Sequence, residues 1–190
     1  MSPNSWFSQP VYLRGGDPES MNEQTLLYPG QLGIRFSYNI PPRSQPGTES
    51  QSTSAGNPKG YQLVATDSAM SVAPFDGAVA WFKDQAQYVV TTSPTSLGRG
   101  RVAGVFRTAV TPGYYTCIQI KGHGLVMFVD SPTAAPDATG KIVVPSATAG
   151  KADCLAAGTA ATFPSLGRTT GALQGGTARA MVDLDLPEAY

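Results

Sequence analysis

The chain reads as an all-β protein: a small antiparallel β-barrel or β-sandwich carrying an extended N-terminal arm. Three observations predict this. Short β-branched and aromatic runs recur between Gly and Pro turns from Tyr61 onward, at about eight or nine places. No segment carries a helical stripe longer than two turns. Gly (21) and Pro (16) are abundant enough to favour turns over long helices. Strands do not alternate with helices, so a nucleotide-binding α/β fold is not expected.

Residues 1–60 read as the arm and 61–190 as the body. The arm places Trp6, Phe7, Val11, Tyr12 and Leu13 among Pro, Gly, Ser and acids without a helical period. Its aromatics need burial on this body or on a neighbour. Tyr28-Pro-Gly-Gln31 predicts a type II turn, with Gly30 taking the positive φ. Leu32 to Ser37 then alternates as a strand. The stretch from Ile40 to Lys59 offers no core residue after Ile40 and reads as a flexible loop.

In the body, Tyr61–Ala65 is the first expected strand. Ala78–Lys83 and Gln87–Thr91 flank the turn Asp84-Gln-Ala86 as a hairpin. Arg101–Phe106 follows, and Thr111-Pro-Gly113 is a turn that feeds a strand from Tyr114 to Ile120. Gly122-His-Gly124 is expected to break that strand before Leu125–Val129 resumes it. Lys141–Val144 is a further strand. Lys151–Thr162 could form a short helix, which its Gly and Thr weaken. Val182–Leu186 closes the body, apolar inward and acid outward.

Composition bounds the function. Charged residues are 14% of the chain, against roughly 25% in an average soluble domain, and the formal net charge is zero. Nothing in that balance draws the chain to nucleic acid or an anionic membrane, and a weakly charged surface tolerates close packing against partners. Met1-Ser-Pro-Asn-Ser-Trp-Phe7 has neither the basic nor the apolar stretch of a secretory signal. Leu125–Val129, as long as any apolar run in the chain, is too short to span a bilayer. Cys117 and Cys154 read as buried free thiols in a reducing cytosol rather than a disulfide framework.

Catalytic vocabulary is sparse. His123 is the one histidine, placed between two glycines, and reads as a solvated turn residue. No Gly-x-Ser-x-Gly elbow accompanies it, and two distant cysteines with one histidine do not supply a zinc site. Asp183 and Asp185, two apart on a strand, face the same side. They could pair as carboxylates or meet an Arg of another copy, but the plain reading is the solvent face of a half-buried strand. Gly98-Arg-Gly-Arg101 and Gly150-Lys151 read as loops, not as nucleic-acid or phosphate sites. Trp81 reads as core. No catalytic residue, metal ligand or cofactor site is assigned.

Arg101-Val-Ala-Gly-Val-Phe106 and Thr111-Pro-Gly-Tyr-Tyr-Thr-Cys-Ile-Gln-Ile-Lys-Gly122 resemble the small β-rich head decoration (cement) proteins of tailed bacteriophages. Those proteins often show a strand with Gly-Val, a Pro/Ala-Gly-x-Tyr turn and a strand ending x-Gln-Val-x-Gly. The Gly/Ala/Thr-rich stretch Ser146–Thr162 and the alternating strand Ala178–Leu186 continue the likeness, which covers roughly the last half of the chain. The resemblance implies a jelly-roll-like or β-tulip-like body on the outer surface of the capsid, made in the host cytoplasm. It implies the major capsid protein and sister copies (a dimer or trimer) as partners, with no cofactor, catalysis, nucleic acid or membrane. Trp6, Phe7, Tyr12, Leu13, Asp183 and Asp185 are then the candidate interface residues. From another class, a carbohydrate-binding or host-adhesion module of a head fibre or tail structure is the alternative expectation.

Overall fold

A computed structural model describes residues 18–25, 29–38, 59–94, 102–137, 139–156, 159–160, 164–173 and 178–186. Among these the protein is all-β. Ten strands form one continuous sheet: β1 (Arg35–Tyr38), β2 (Lys59–Thr66), β3 (Val79–Asp84), β4 (Val89–Thr91), β5 (Val102–Phe106), β6 (Tyr115–Met127), β7 (Ile142–Pro145), β8 (Ala152–Cys154), β9 (Gly167–Leu173) and β10 (Arg179–Asp185). Two single turns of 3-10 helix, Pro18–Ser20 and Pro29–Gln31, are the only helical pieces described.

The order β2-β4-β3-β5-β6 closes on itself through a β2–β6 pairing, giving a five-stranded barrel. All its pairings are antiparallel except β2–β4, which is parallel through Ala65↔Val89 and Thr66↔Val90. Closure removes the exposed edges that an open five-stranded sheet would present. Beyond the barrel, β1 pairs along β2, and β10-β9-β7-β8 extends from the second half of β6. A parallel bridge, Phe128↔Ala152, brings the start of β8 back beside the residues that follow β6. The thirteen-residue β6 is therefore shared between the barrel and the second group of strands.

Alternation along the strands sorts the core into three clusters. Val64, Ala80, Phe82, Val90, Ile118 and Ile120 belong to the first. Val79 and Trp81, on the other face of β3, join Val126, Phe128, Val143, Leu166, Val182 and Leu184 in the second. β3 is buried on both faces, and Trp81 is core as its apolar strand predicts. The third cluster is smaller: Met21 lies on Tyr61, Leu63 and Cys117 of β2 and β6.

Local chemistry explains the turns. The Asp84 carboxylate accepts hydrogen bonds from the amides of Ala86 (2.9 Å) and Gln87 (3.2 Å), fixing the start of the β3–β4 turn. The expected turn at Thr111-Pro-Gly113 is present: the Tyr114 amide bonds to the Thr111 carbonyl at 3.0 Å, and Gly113 takes φ +88°.

Four expectations need correction. Pro29–Gln31 is 3-10 rather than a type II turn, because the positive φ (+84°) falls on Gly33 instead of Gly30. Lys59 is not loop; it opens β2 and is buried, because it has a carboxylate partner. Lys151–Thr162 does not open a helix: Ala152–Cys154 is β8, paired antiparallel to β7. Gly122-His-Gly124 does not break its strand.

That last correction has a specific cause. β10 pairs with β6 without interruption from Arg179↔Met127 to Asp185↔Lys121. Gly122 takes φ +83°, and the Gln119 side-chain amide donates to the carbonyls of Lys121 (3.1 Å), Gly122 (3.1 Å) and His123 (3.0 Å). A Cβ on Gly124 would lie 2.5 Å from the Gln119 side-chain oxygen. The glycines thus admit a buried amide against the backbone, a use of strand Gly that sequence patterning confuses with a turn.

Candidate functional site

The most organised group of polar side chains lies where residues 18–25 cross the barrel wall. Pro18–Ser20 forms one helical turn with a buried proline, which sets Glu19 against β2. One carboxylate oxygen of Glu19, Oε1, accepts two hydrogen bonds and has a second cation beside it. Tyr61 Oη lies at 2.7 Å, Lys59 Nζ at 3.0 Å and Arg107 Nε at 3.5 Å. Lys59 and Tyr61 sit two apart on β2, and Arg107 immediately follows β5. The side chains of Lys59 and Arg107 are each only 7% exposed, so both cations are held away from water and need their partner.

The group continues across the surface. Arg107 Nη1 donates to the Leu125 carbonyl at 3.1 Å and lies 3.5 Å from Asp76, which also meets Arg179 of β10 at 3.5 Å. Three cations here face two carboxylates. Burial alone would raise the Glu19 carboxyl; the Arg107 and Lys59 charges, with hydrogen bonds from Tyr61 and Lys59, outweigh it and hold the pKa below the ordinary value. The arrangement is a carboxylate-recognition cradle filled by the chain's own glutamate.

Beyond Glu19 the segment remains docked. Met21 is buried, its sulfur 3.6 Å from the Cys117 thiol. Thr116 Oγ1 donates to the Met21 carbonyl at 2.8 Å, and Glu23 and Tyr115 exchange main-chain hydrogen bonds at 3.0 and 2.8 Å. Asn22 Oδ1 accepts from the Thr111 amide at 3.0 Å. Burial pushes the Cys117 thiol up to about 12.

The residues singled out from sequence fall elsewhere. Trp6, Phe7, Tyr12 and Leu13 lie outside the described residues, as does Gly98-Arg-Gly-Arg101. Asp183 and Asp185 are exposed on β10 while Val182 and Leu184 are buried, the acid-out alternation expected of them. Their cross-strand neighbours are His123 and Lys121 on β6, and Asp183 also pairs with Arg168 on β9. His123 Nε2 lies 3.8 Å from Asp183 Oδ1, so it belongs to a strand face rather than a turn. Among the described residues no three His, Cys, Asp or Glu side chains gather as metal ligands.

Cys117 and Cys154 are both free and buried, in different clusters. Burial is the main influence on Cys154 and raises its pKa; Asp153 and Asp137 add to this and Lys141 opposes it. Sequence reasoning missed Glu19, Lys59, Arg107, Asp76 and Arg179. Glu19 lies 40 residues from Lys59 and 42 from Tyr61, so no local spacing marks the cradle. A charged Lys amid the β-branched and aromatic pattern of β2 was the available hint.

No protein-family model matches the chain, and comparison with curated proteins and with solved structures finds no match.

Proposed function

We propose that this chain is a non-enzymatic structural protein of a phage virion, a decoration or cement protein that binds the outside of the head and stabilises contacts between major capsid proteins. The observation that carries the reading is where its resembling motifs lie. Val102–Phe106 of the first motif is β5, and Thr111–Gly122 supplies the Pro-Gly turn and most of β6. These are neighbouring strands, with β6 the one common to both halves of the sheet. The likeness therefore concerns the centre of the fold rather than a peripheral loop.

Physical properties support the same reading. A closed barrel with a strand buried on both faces resists deformation, which suits a clamp on a pressurised shell. Low charge density permits close packing on coat subunits, and display in many copies turns weak contacts into tight net attachment. The partners proposed are the major capsid protein and sister copies. The arm, with Trp6, Phe7, Tyr12 and Leu13, supplies the anchor, and Asp183 and Asp185 add exposed acceptors for a neighbour's Arg or Lys.

Co-sedimentation with shells of the coat protein, across a concentration series, tests the proposal. Saturable binding at a fixed stoichiometry per coat subunit, with a raised shell melting temperature, is the expected result. Absence of binding to both immature and expanded shells would overturn it and favour the adhesion reading.

A further inference from the structure

The Glu19 cradle is built as a recognition site, yet its occupant belongs to the same chain. The occupant shows what the site selects: a carboxylate on a short turn, an unbranched apolar side chain two residues later, and a backbone that pairs with the start of β6. The floor under Met21 is Tyr61, Leu63 and Cys117, an apolar strip ending at the Lys59–Arg107 pair.

We propose that this strip across the face of the paired strands β2 and β6 is a docking site for extended acidic segments of a partner, and that residues 18–25 are a strap occupying it in cis. Two observations make the strap displaceable. Pro18 and Met21 are its only buried residues, while Asn22, Gln24 and Thr25 are exposed. Ordering an eight-residue segment costs conformational entropy at every residue, more in total than the burial of one Met side chain returns. The apolar contact therefore cannot hold the strap alone; the ion pairs and hydrogen bonds at Glu19, Met21 and Glu23 must supply the rest. Secondly, Arg107 Nε is buried, makes no hydrogen bond and faces Glu19 Oε1 from 3.5 Å. The Leu125 carbonyl and Asp76 hold the guanidinium through Nη1, while Nε remains a donor for a better-placed carboxylate.

This inference goes beyond the shell-binding reading and does not rest on it, because its test uses the isolated full-length chain. Cys117 lies beneath Met21 and reports strap opening, while Cys154 in another cluster reports general loosening. The rate at which N-ethylmaleimide labels each thiol is followed by peptide mass spectrometry in the wild type and in Glu19→Lys. The probe in trans is a synthetic peptide with the sequence of residues 16–25, beside a control peptide carrying Gln in place of its Glu at position 19.

Opening of the strap raises Cys117 labelling in Glu19→Lys by at least about tenfold, the effect expected on losing a charge-assisted hydrogen bond, with Cys154 unchanged. The acidic peptide restores protection of Cys117 and the Gln peptide does not. The proposal is overturned if both thiols speed up together, if Cys117 labelling stays at the wild-type rate, or if neither peptide protects it. Should Glu19→Lys fail to fold, Glu19→Gln, uncharged and of the same shape, carries the same comparison.

Discussion

At the scale of single residues, Glu19 illustrates how one side chain can tie distant parts of a chain together. Its carboxyl pKa is lowered in the folded state, so the unfolded state binds more protons in acid. The stabilisation it contributes is fully present above the ordinary carboxylate range and is lost as pH falls through the lowered folded value. Asp67 behaves alike: burial would raise it, but hydrogen bonds from Lys83 and the Ala69 amide and the Lys83 charge prevail. It is part of the same acid-sensitive set, with less weight because Lys83 is about half exposed. Thermal melts of the wild type between pH 7 and pH 3 should therefore fall below pH 4.5, while Glu19→Gln starts lower and falls less steeply. Equal slopes in the two proteins would show that Glu19 is not a source of the acid sensitivity. Cys117 carries the opposite sign. Its raised pKa means the unfolded thiol ionises first, so stability drains as pH rises above the ordinary thiol range toward about 12. Cys117→Ala should flatten the alkaline limb of the melting profile.

At the scale of elements, β3 and β9 make contrasting demands. β3 contributes Trp81 to one cluster and Ala80 and Phe82 to another, so truncating either face opens a cavity. Trp81→Ala should cost about 3–5 kcal/mol in chemical denaturation, as large-to-small core changes do. β9 depends on its first residue. Gly167 has φ +148°, and a Cβ there would sit 2.0 Å from the Asp183 carbonyl oxygen of β10. Gly167→Ala must push two backbones apart and should destabilise by about 3 kcal/mol or more, combining backbone strain with overpacking. A loss below about 1 kcal/mol would mean that β9 and β10 part at this position without strain. The same contrast explains what was legible. The β3–β4 hairpin and β10 were readable because Val79, Trp81, Val182 and Leu184 alternate or run together in an unmistakable β pattern. β9, Gly167-Arg-Thr-Thr-Gly-Ala-Leu173, carries no such pattern; its place depends on pairing with β7 and β10. β8 was hidden for the same reason, since Ala152-Asp-Cys154 becomes a strand only beside Val143–Pro145. The cradle was less legible still, because Lys59, Arg107 and Glu19 meet only through tertiary structure.

At the scale of the whole molecule, the shared strand organises stability. β6 pairs with β2 along one edge while β5 and β10 lie end to end along the other, so it cannot leave without opening both halves. β1 and the strap are attached differently. β1 pairs with β2 through four residue pairs at the sheet's end, and the strap holds to β6 by the Glu23–Tyr115 bridge and its neighbours. Native-state hydrogen exchange should therefore resolve at least two levels. The amides of Ile118 and Ile120, buried in the barrel, should exchange only through global unfolding, with protection that falls along the equilibrium denaturant slope. The amide of Glu23, bonded to the Tyr115 carbonyl at 3.0 Å, should exchange through a smaller, denaturant-insensitive opening that Glu19→Gln accelerates, while Ile118 still requires global unfolding. If Glu23 and Ile118 merge into one isotherm, the strap is an integral part of the cooperative unit. If they separate, the barrel is a stable frame on which residues 18–25 open locally, and binding at the face of β2 and β6 requires only the free energy of that local step rather than any loss of the fold.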